Sequence, residues 1–445
     1  MENKKVLKIV FSSVISDAGE VTRAIEIADG IRLFCPEDYE VDITFLSTGS
    51  VFEDKVISNG FKIYKCSPSL PGMGFREDFK TKGSNIIGEV KLAGELLKGE
   101  IDAFNDLKPD VVIYGFNPIA GLARRMIEKP IPGICYMPIP MQKDVYLTTL
   151  MKDAPDNIKP LTYLPLNFRK NIMKLIPIAI KLKVPAFVQT NIIEALKEFQ
   201  WNGSKVKTVF DMLESDLTII NDLEEFNKEH KLPDNFKVVG PLYASAPSNS
   251  KIDENILRIF NSEGKRLKVF CTLGSSGKKE YLFEAIKALT QGIGKEWSAV
   301  ILAPKAVCPI KEAIECAGNS PNVYITDEFV PATLVNGLAD VVVSHGGQGT
   351  VQTAIASGTP IVGFAMQPEQ QINLDNVVMK GAGIRIPINR WNAPNIQLAI
   401  RNIIKDTSYK ENINTLKKLL ESSDGKKNSA LAIWDYILNK LNQQK

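Results

Sequence analysis

The sequence His-Gly-Gly-Gln-Gly-Thr at residues 345–350 brings together residue types that can hold an anion. The apolar run at residues 341–343 predicts a buried parallel strand before it, and residues 351–357 predict a helix after it. Glycines at such a junction let a ligand approach the backbone, and the first N–H groups of a helix have no partner within the helix. We therefore predict a diphosphate site at this turn.

Further motifs follow this turn in a fixed order. Gly358-Thr359-Pro360 ends the predicted helix, residues 361–364 predict the next strand, and the pattern Glu-Gln-x-x-Asn at residues 369–373 opens another helix. For the turn alone, a tight strand-to-helix connection without a ligand is the alternative interpretation. The order and spacing of the motifs favour a ligand site with polar groups beyond the diphosphate.

With these motifs the sequence resembles the nucleotide-sugar-dependent glycosyltransferases of the GT-B fold. It is most similar to the family of UDP- and dTDP-sugar transferases that includes antibiotic and sterol glycosyltransferases. The resemblance is strong over residues 266–390 and weaker over the amino-terminal half. It implies that one turn provides the diphosphate contacts: His345, Gly346, Gly347, Gly349 and Thr350. For His345, a histidine satisfied at a strand end is the alternative.

The resemblance also implies contacts with the rest of the donor. They are Glu369, Gln370 and Asn373 at the sugar hydroxyls, Gly274, Ser275 and Ser276 in a second loop near the phosphates, and Phe329 and Val330 beside the base. Two alternatives remain, because paired acceptor groups at a helix start also form a cap, and Phe329 would pack equally well in the core.

The sequence departs from the family pattern near the nucleoside. Thr353 stands where the family frequently has a Glu that binds the ribose hydroxyls, which leaves room for a deoxyribose donor such as a dTDP-sugar. Ala332 replaces a Gln that contacts the base.

The catalytic base is a further departure, because no histidine follows the first predicted strand. Gly19-Glu20-Val21 resembles the Gly-Asp-Val variant of antibiotic and sterol transferases, in which a carboxylate is thought to act as base. Glu20 is therefore the candidate, with Asp17 behind it. Such a carboxylate needs a raised pKa, and burial in the cleft would provide it. The alternative is a Glu that the macrodipole favours at a helix start.

These residues need a scaffold in which several strands end at one edge. Strand and helix patterns alternate along the chain and predict an α/β fold with parallel sheets. Together with the resemblance, they predict two Rossmann-like domains that face each other across a cleft, the GT-B architecture. We expect an acceptor-binding domain at residues 1–240, a linker at 241–255, a nucleotide-sugar-binding domain at 256–425, and a helix at 426–445 that returns to the first domain.

Composition limits the other functional classes. The 445 residues carry a net charge of only +3, so no nucleic-acid partner is expected. Six scattered cysteines suit a reducing cytoplasm, and two histidines leave little for a metal site. An apolar run near the amino terminus is interrupted by Lys8, and no run reaches the length of a membrane span. We expect a cytoplasmic protein with no metal and no cofactor other than the nucleotide sugar as co-substrate.

The acceptor is less clear from the sequence. The apolar segment at residues 136–141 suits a small apolar molecule, and a loop at 68–83 is expected near the site. Residues 169–187 mix lysines with apolar side chains, which fits either a peripheral membrane contact or a buried helix with a basic edge. The resemblance implies an inverting hexosyltransferase of natural-product type. The alternatives are an inactive nucleotide-sugar-binding relative that activates a partner, and a sugar-nucleotide epimerase.

Overall fold

The computed structural model describes most of the chain. The described residues are 4–14, 18–146, 152–156, 158–175, 187–201, 203, 205–243, 251–262, 266–274, 277–328 and 330–442. Four predicted site residues lie outside these ranges: Asp17, Ser275, Ser276 and Phe329.

Two parallel sheets organise the described residues. In chain order, the strands are β1 (Lys5–Phe11), β2 (Tyr39–Ser47), β3 (Lys62–Lys65), β4 (Val111–Tyr114), β5 (Gly133–Met137), β6 (Leu217–Ile220), β7 (Phe236–Val238), β8 (Lys268–Thr272), β9 (Ser298–Leu302), β10 (Val323–Thr326), β11 (Val341–Ser344), β12 (Ile361–Gly363) and β13 (Gly383–Arg385). The first sheet has the order β3-β2-β1-β4-β5-β6-β7 and the second β10-β9-β8-β11-β12-β13. The two predicted Rossmann-like sheets are confirmed.

Helices connect these strands. In chain order, the α-helices are α1 (Ala18–Leu33), α2 (Glu53–Ser58), α3 (Phe75–Asp78), α4 (Val90–Leu107), α5 (Pro118–Met126), α6 (Lys143–Val145), α7 (Leu166–Leu175), α8 (Thr190–Glu198), α9 (Val209–Met212), α10 (Glu254–Phe260), α11 (Lys279–Thr290), α12 (Ile310–Ala317), α13 (Ala332–Leu338), α14 (Gln348–Ser357), α15 (Pro368–Met379), α16 (Ala393–Lys405), α17 (Ser408–Glu421) and α18 (Gly425–Asn442). Short 3-10 helices lie at Lys159–Tyr163, Glu224–Phe226, Gly292–Glu296 and Ile388–Arg390.

The apolar runs become central strands because both faces of each sheet are covered by helices. The valines of β11 have no exposed surface, and the whole of β4 is buried as well. Helix α14 ends where Gly-Thr-Pro follows in the sequence, since Gly358 adopts the left-handed conformation there, with φ of 67°. The β11-α14 connection therefore has the predicted strand-turn-helix form.

The chain divides into two compact units. The first comprises Met1–Thr148, Ile178–Leu242 and Asp424–Lys445, and the second comprises Thr149–Pro177 and Tyr243–Ser423. Within the first unit α18 packs on α1, where the Trp434 indole N–H donates to the Ile31 carbonyl at 3.1 Å. The division differs from the sequence-based one at Thr149–Pro177, a segment expected in the first domain.

The described residues contain neither a membrane-spanning helix nor a metal-binding cluster. Within those ranges no helix combines the length and the apolar character that crossing a membrane requires. The same residues contain no group of three or more His, Cys, Asp and Glu side chains arranged to hold a metal ion.

Candidate functional site

The amino terminus of α14 has no side-chain cap. Gly347 occupies the N-cap position and has no side chain that could cap the helix, and the first turn of α14 contains no acidic residue. Gly349 lies in this turn, with open space where a Cβ would stand. The first N–H groups and the helix dipole together make this end suited to an anion.

The His345 imidazole is packed between two glycines. A Cβ built on Gly347 would lie 2.8 Å from the ring atoms Cε1 and Nε2, and one built on Gly274 would lie 2.6 Å from Cε1. Gly274 also has a φ of +59°, which disfavours any other residue. The loops after β8 and β11 therefore meet at this ring, which is only 5% exposed.

The residues predicted to bind the sugar lie against the same turn. The Asn373 side-chain amide donates to the Gly346 carbonyl at 3.0 Å and to Glu369 Oε1 at 2.5 Å. Gly346 approaches α15 so closely that a Cβ on it would lie 2.7 Å from the Gln370 carbonyl oxygen. The structure thus brings the predicted diphosphate residues and Glu369, Gln370 and Asn373 together in one unit.

The side chain of Gln370 forms a hydrogen bond with the backbone just before α15. Its Oε1 accepts from the backbone N–H of Met366 at 2.9 Å, and the residue is 2% exposed. Met366 lies before α15, and its N-cap residue Gln367 has no side-chain cap, so this contact differs from the cap that the sequence left as an alternative for the Glu-Gln pair. Glu369 is only half-buried.

Near the predicted nucleoside position, the Thr353 hydroxyl forms hydrogen bonds within the protein. It donates to the Thr350 carbonyl at 3.0 Å and accepts from the Asn336 side chain at 3.3 Å. Val330 is buried, and Ala332 begins α13. Thr353 therefore adds no carboxylate and turns its hydroxyl toward α13.

In the first unit, Glu20 lies in the first turn of α1 with its carboxylate already bonded. Its Oε2 accepts from Arg23 at 2.5 Å, and its Oε1 accepts from the backbone N–H of Phe116 at 3.1 Å. The carboxylate lies over Gly115, where a Cβ would overlap Oε1. These contacts tie α1 to the turn after β4.

Residues 136–141, predicted as an apolar wall, are all buried.

The comparisons with known structures show the fold. The glycotransferase of kitacinnamycin aligns over 97% of this chain and 99% of its own, with a TM-score of 0.65 and 17% identity. A spinosyn rhamnosyltransferase complexed with thymidine diphosphate aligns over 96% of this chain and 98% of its own, with a TM-score of 0.56 and 13% identity. The chain has the GT-B fold.

Within this GT-B chain, residues 318–426 match the family model described as UDP-glucoronosyl and UDP-glucosyl transferase. The match covers the turn at residues 345–350 and the Glu-Gln-x-x-Asn pattern. A PGL/p-HBAD biosynthesis glycosyltransferase of Mycobacterium tuberculosis is 24% identical over 217 residues, which are 48% of this chain and 46% of the relative. The chain therefore spans about half the length of the curated relatives that it matches.

The GT-B chain contains a buried carboxyl that the sequence analysis missed. Glu100 on α4 accepts from the Asn117 side-chain amide at 2.8 Å, and that amide also donates to Ser12 at 3.0 Å. Burial raises the pKa of Glu100 to about 7, although the hydrogen bonds from Asn117 and Ser12 lower it. The available signal was a Glu within the apolar stripe of α4, beside Leu96, Leu97 and Ala103.

The sequence analysis also missed a charged cluster in the second unit. Arg385 donates to Asp153 and Asp156, each at 2.5 Å, and to Asp375 at 2.7 Å. Asp153 also accepts a hydrogen bond from a second guanidinium, that of Arg169, at 2.7 Å. These ion pairs join Asp153 and Asp156 to Arg385 on β13, in agreement with the grouping of Thr149–Pro177 in the second unit.

Proposed function

We propose that the protein is an inverting glycosyltransferase. It would transfer a sugar from a UDP- or dTDP-sugar to a hydroxyl group of a small, apolar acceptor. The observation that carries the proposal is the meeting of three features in the second unit. They are the uncapped start of α14, the His345 ring between two glycine loops, and the Glu369-Asn373 pair on α15. The family model that matches residues 318–426 supports the same conclusion.

The donor diphosphate would lie at the start of α14. The backbone N–H groups and the macrodipole there favour two phosphates, and His345 adds a polar ring beside them. The proposal requires no metal ion because these groups counter the phosphate charge. Thr353, whose hydroxyl bonds within the fold, stands where the family frequently has the Glu that binds the ribose hydroxyls, and this supports a deoxyribose donor.

The chemical step would be a direct displacement at the anomeric carbon. The acceptor oxygen forms the new bond to that carbon as the bond to the phosphate oxygen breaks, and the nucleoside diphosphate leaves. A base takes the proton from the acceptor hydroxyl, which typically contributes about 10²–10⁴-fold to the rate. Attack from the side opposite the leaving group inverts the configuration of the sugar.

Glu20 is the base in this proposal, and its ion pair with Arg23 makes the assignment testable. If Glu20 accepts the proton, Glu20→Gln lowers kcat by about 100-fold or more, whereas Arg23→Gln leaves the carboxylate in place and lowers kcat far less. If the carboxylate only ties α1 to the turn after β4, the two variants lose activity in parallel. That result would contradict the assignment.

The first test of the function is nucleotide binding. Calorimetry with UDP, dTDP, GDP and their sugar conjugates should detect one preferred diphosphate. His345→Ala should weaken that binding by about tenfold or more, and the control His230→Ala should leave it unchanged. Absence of binding by every nucleotide would refute the donor site. Binding without transfer to any acceptor would favour the inactive relative, and conversion of the sugar without an acceptor would favour the epimerase.

The exposed face of α7 supports a peripheral membrane contact as a further part of the proposal. Phe168 is 58% exposed and Leu175 is 80% exposed, and Lys174 is exposed in the last turn of the same helix. Residues 157–193 contain no Asp or Glu. Lysine with exposed apolar side chains suits an anionic bilayer surface.

Vesicle binding tests this contact directly. Sedimentation with phosphatidylcholine vesicles that contain phosphatidylglycerol should retain the protein, and Lys170→Glu with Lys174→Glu should release it. The control pair Arg401→Glu with Lys405→Glu, on exposed positions of α16, should bind as before. Equal binding to vesicles without phosphatidylglycerol would contradict the charge argument.

A further inference from the structure

We infer that residues 152–156 and 158–169 (the 152–169 segment) are a functional part of the donor-binding unit and that Arg385, together with these residues, positions helix α15 for sugar recognition. The inference rests on the proposed function, because α15 carries Glu369 and Gln370. It assigns to Arg385, Asp153 and Asp156 a positioning role that their places in the sequence do not suggest.

Helix α15 is held from two sides. On one side, Asn373 joins Glu369 to the Gly346 carbonyl in the turn before α14. On another, the Gln371 side-chain amide donates to the Ala154 carbonyl and to Asp375 Oδ2, each at 3.2 Å. Successive residues of an α-helix are rotated by about 100°, so positions 369 and 371 lie about 200° apart around α15. Residues 152–169 therefore support the helix from the side away from the predicted diphosphate turn.

Arg385 is the centre of this support. Its guanidinium reaches Asp153 and Asp156 in the segment and Asp375 on α15, while its own strand, β13, is paired with β12. The side chains of Arg385 and Asp375 are each 2% exposed and that of Asp153 is 1% exposed. A guanidinium has a fixed fork of donors, so three carboxylates bonded to it are held at fixed relative positions.

The segment itself is fixed by other contacts in the same unit. Arg169 bonds to both oxygens of Asp153, at 2.9 and 2.7 Å. Asp156 also accepts from the backbone N–H of Ile388 at 3.0 Å, and the Asn389 side chain donates to the Thr162 hydroxyl at 3.2 Å. The segment is thus joined to the residues that follow β13 as well as to α15.

The charge of the cluster gives the positioning a physical basis. Three carboxylates face two guanidinium groups, so the buried cluster is one positive charge short of neutrality. Burial raises the pKa of Asp375 to about 6 and the Asp153 carboxylate adds to the effect, although Arg385 opposes it. The carboxylates repel one another, and the fork of Arg385 holds them together. Loss of one of these bonds lets the guanidinium and Asp375 shift, and α15 moves with them. Asp375 and Glu369 lie about 9 Å apart along the helix axis, so a tilt at Asp375 displaces the sugar-binding end.

The test compares the affinity for a nucleoside diphosphate with the affinity for its sugar conjugate. Arg385→Lys keeps the positive charge but loses the fork, and Asp156→Asn removes one acceptor charge from a residue that is 11% exposed. Both variants should weaken binding of the sugar conjugate by about tenfold while the nucleoside diphosphate binds within about twofold of wild type. The control Glu284→Gln removes an ion pair with Lys287 in the same unit, away from α15, and should change neither affinity.

Two results would overturn the inference. One is unchanged affinity for both ligands in Arg385→Lys and Asp156→Asn. The other is a parallel loss of both affinities, which would show a general effect on the fold.

Hydrogen exchange gives an answer that does not depend on nucleotide binding. Amides of residues 369–379 should exchange faster in Asp156→Asn and in Gln371→Ala than in Glu284→Gln. Equal exchange in the three variants would also overturn the inference. If wild type binds no nucleotide, the proposed function fails, and the exchange measurement still decides whether the segment positions α15.

Discussion

Replacement of Glu100 by Gln should make the protein more stable at alkaline pH and leave it nearly unchanged at acidic pH. The carboxyl is 8% exposed and accepts a hydrogen bond from the Asn117 amide, with Ser12 as a second partner. The carbonyl oxygen of a glutamine can accept the same bond, so the substitution mainly removes the ability to ionise. It therefore isolates the cost of a buried charge from the packing of α4.

The magnitude follows from the pKa of Glu100. Burial raises it from 4.5, the ordinary value, to about 7 in the folded chain. A carboxyl with a raised pKa in the folded state contributes most stability below pH 4.5, and this contribution is lost as the pH rises toward 7. A difference of about 2.5 pKa units corresponds to about 3 kcal/mol, which the wild type has lost by pH 8 and the Gln variant retains.

Urea unfolding of both proteins between pH 4.5 and pH 8.5 measures this difference. The free energy of unfolding of Glu100→Gln relative to wild type should rise by about 3 kcal/mol from pH 4.5 to pH 8, with most of the rise below pH 7. If the new amide changes the free energy of unfolding by the same amount at every pH, the plot of the difference against pH shifts as a whole and its slope stays the same. The exposed residue Glu95, on the same helix, provides the control Glu95→Gln, whose difference from wild type should stay flat. A flat curve for Glu100→Gln would refute the reasoning.

Two further predictions concern packing. Gly347→Ala places a Cβ 2.8 Å from the His345 ring and should weaken nucleotide binding by about tenfold, measured by calorimetry. The control Gly337→Ala, whose new Cβ would have nothing within 4 Å, should bind the nucleotide normally. Equal affinities in the two variants would contradict the predicted diphosphate site. Trp434→Ala removes a side chain that is 3% exposed and should cost about 3–5 kcal/mol in thermal unfolding of the first unit. Leu431→Ala, on the same helix at 48% exposure, should cost less than about 0.5 kcal/mol, and similar losses in both variants would contradict the packing of α18.

The turn at residues 345–350 was predictable because its elements are local. A short apolar run, a glycine turn and a helix follow one another in the sequence, and the structure places β11 and α14 accordingly. The proximity of Glu369 and Asn373 was also predictable, because residues four apart on a helix lie side by side. The alternation of strands and helices gave both sheets for the same reason.

The remaining features depend on contacts between distant residues. Arg385 and Asp153 are 232 positions apart, and neither stretch carries a pattern that indicates its partner. Glu100 lies on the apolar stripe of α4, but its bond to Asn117 follows from the packing of α4 on α5, which one sequence does not specify. The ion pair of Glu20 with Arg23 is local in sequence, yet the bond from the Phe116 N–H depends on the turn after β4.

The packing of α18 on α1 also affects the order in which the chain folds during synthesis. Ile31 and Trp434 are 403 positions apart, and a ribosome needs about 20–80 s to cover such a distance. During that interval the face of α1 that α18 covers stays open, although the strands of the first sheet, which extend to Val238, are synthesised well before α18. The second unit can close first, which reverses the usual order in which domains fold from the amino terminus. The nascent first unit should therefore be the part of the chain that chaperones protect longest.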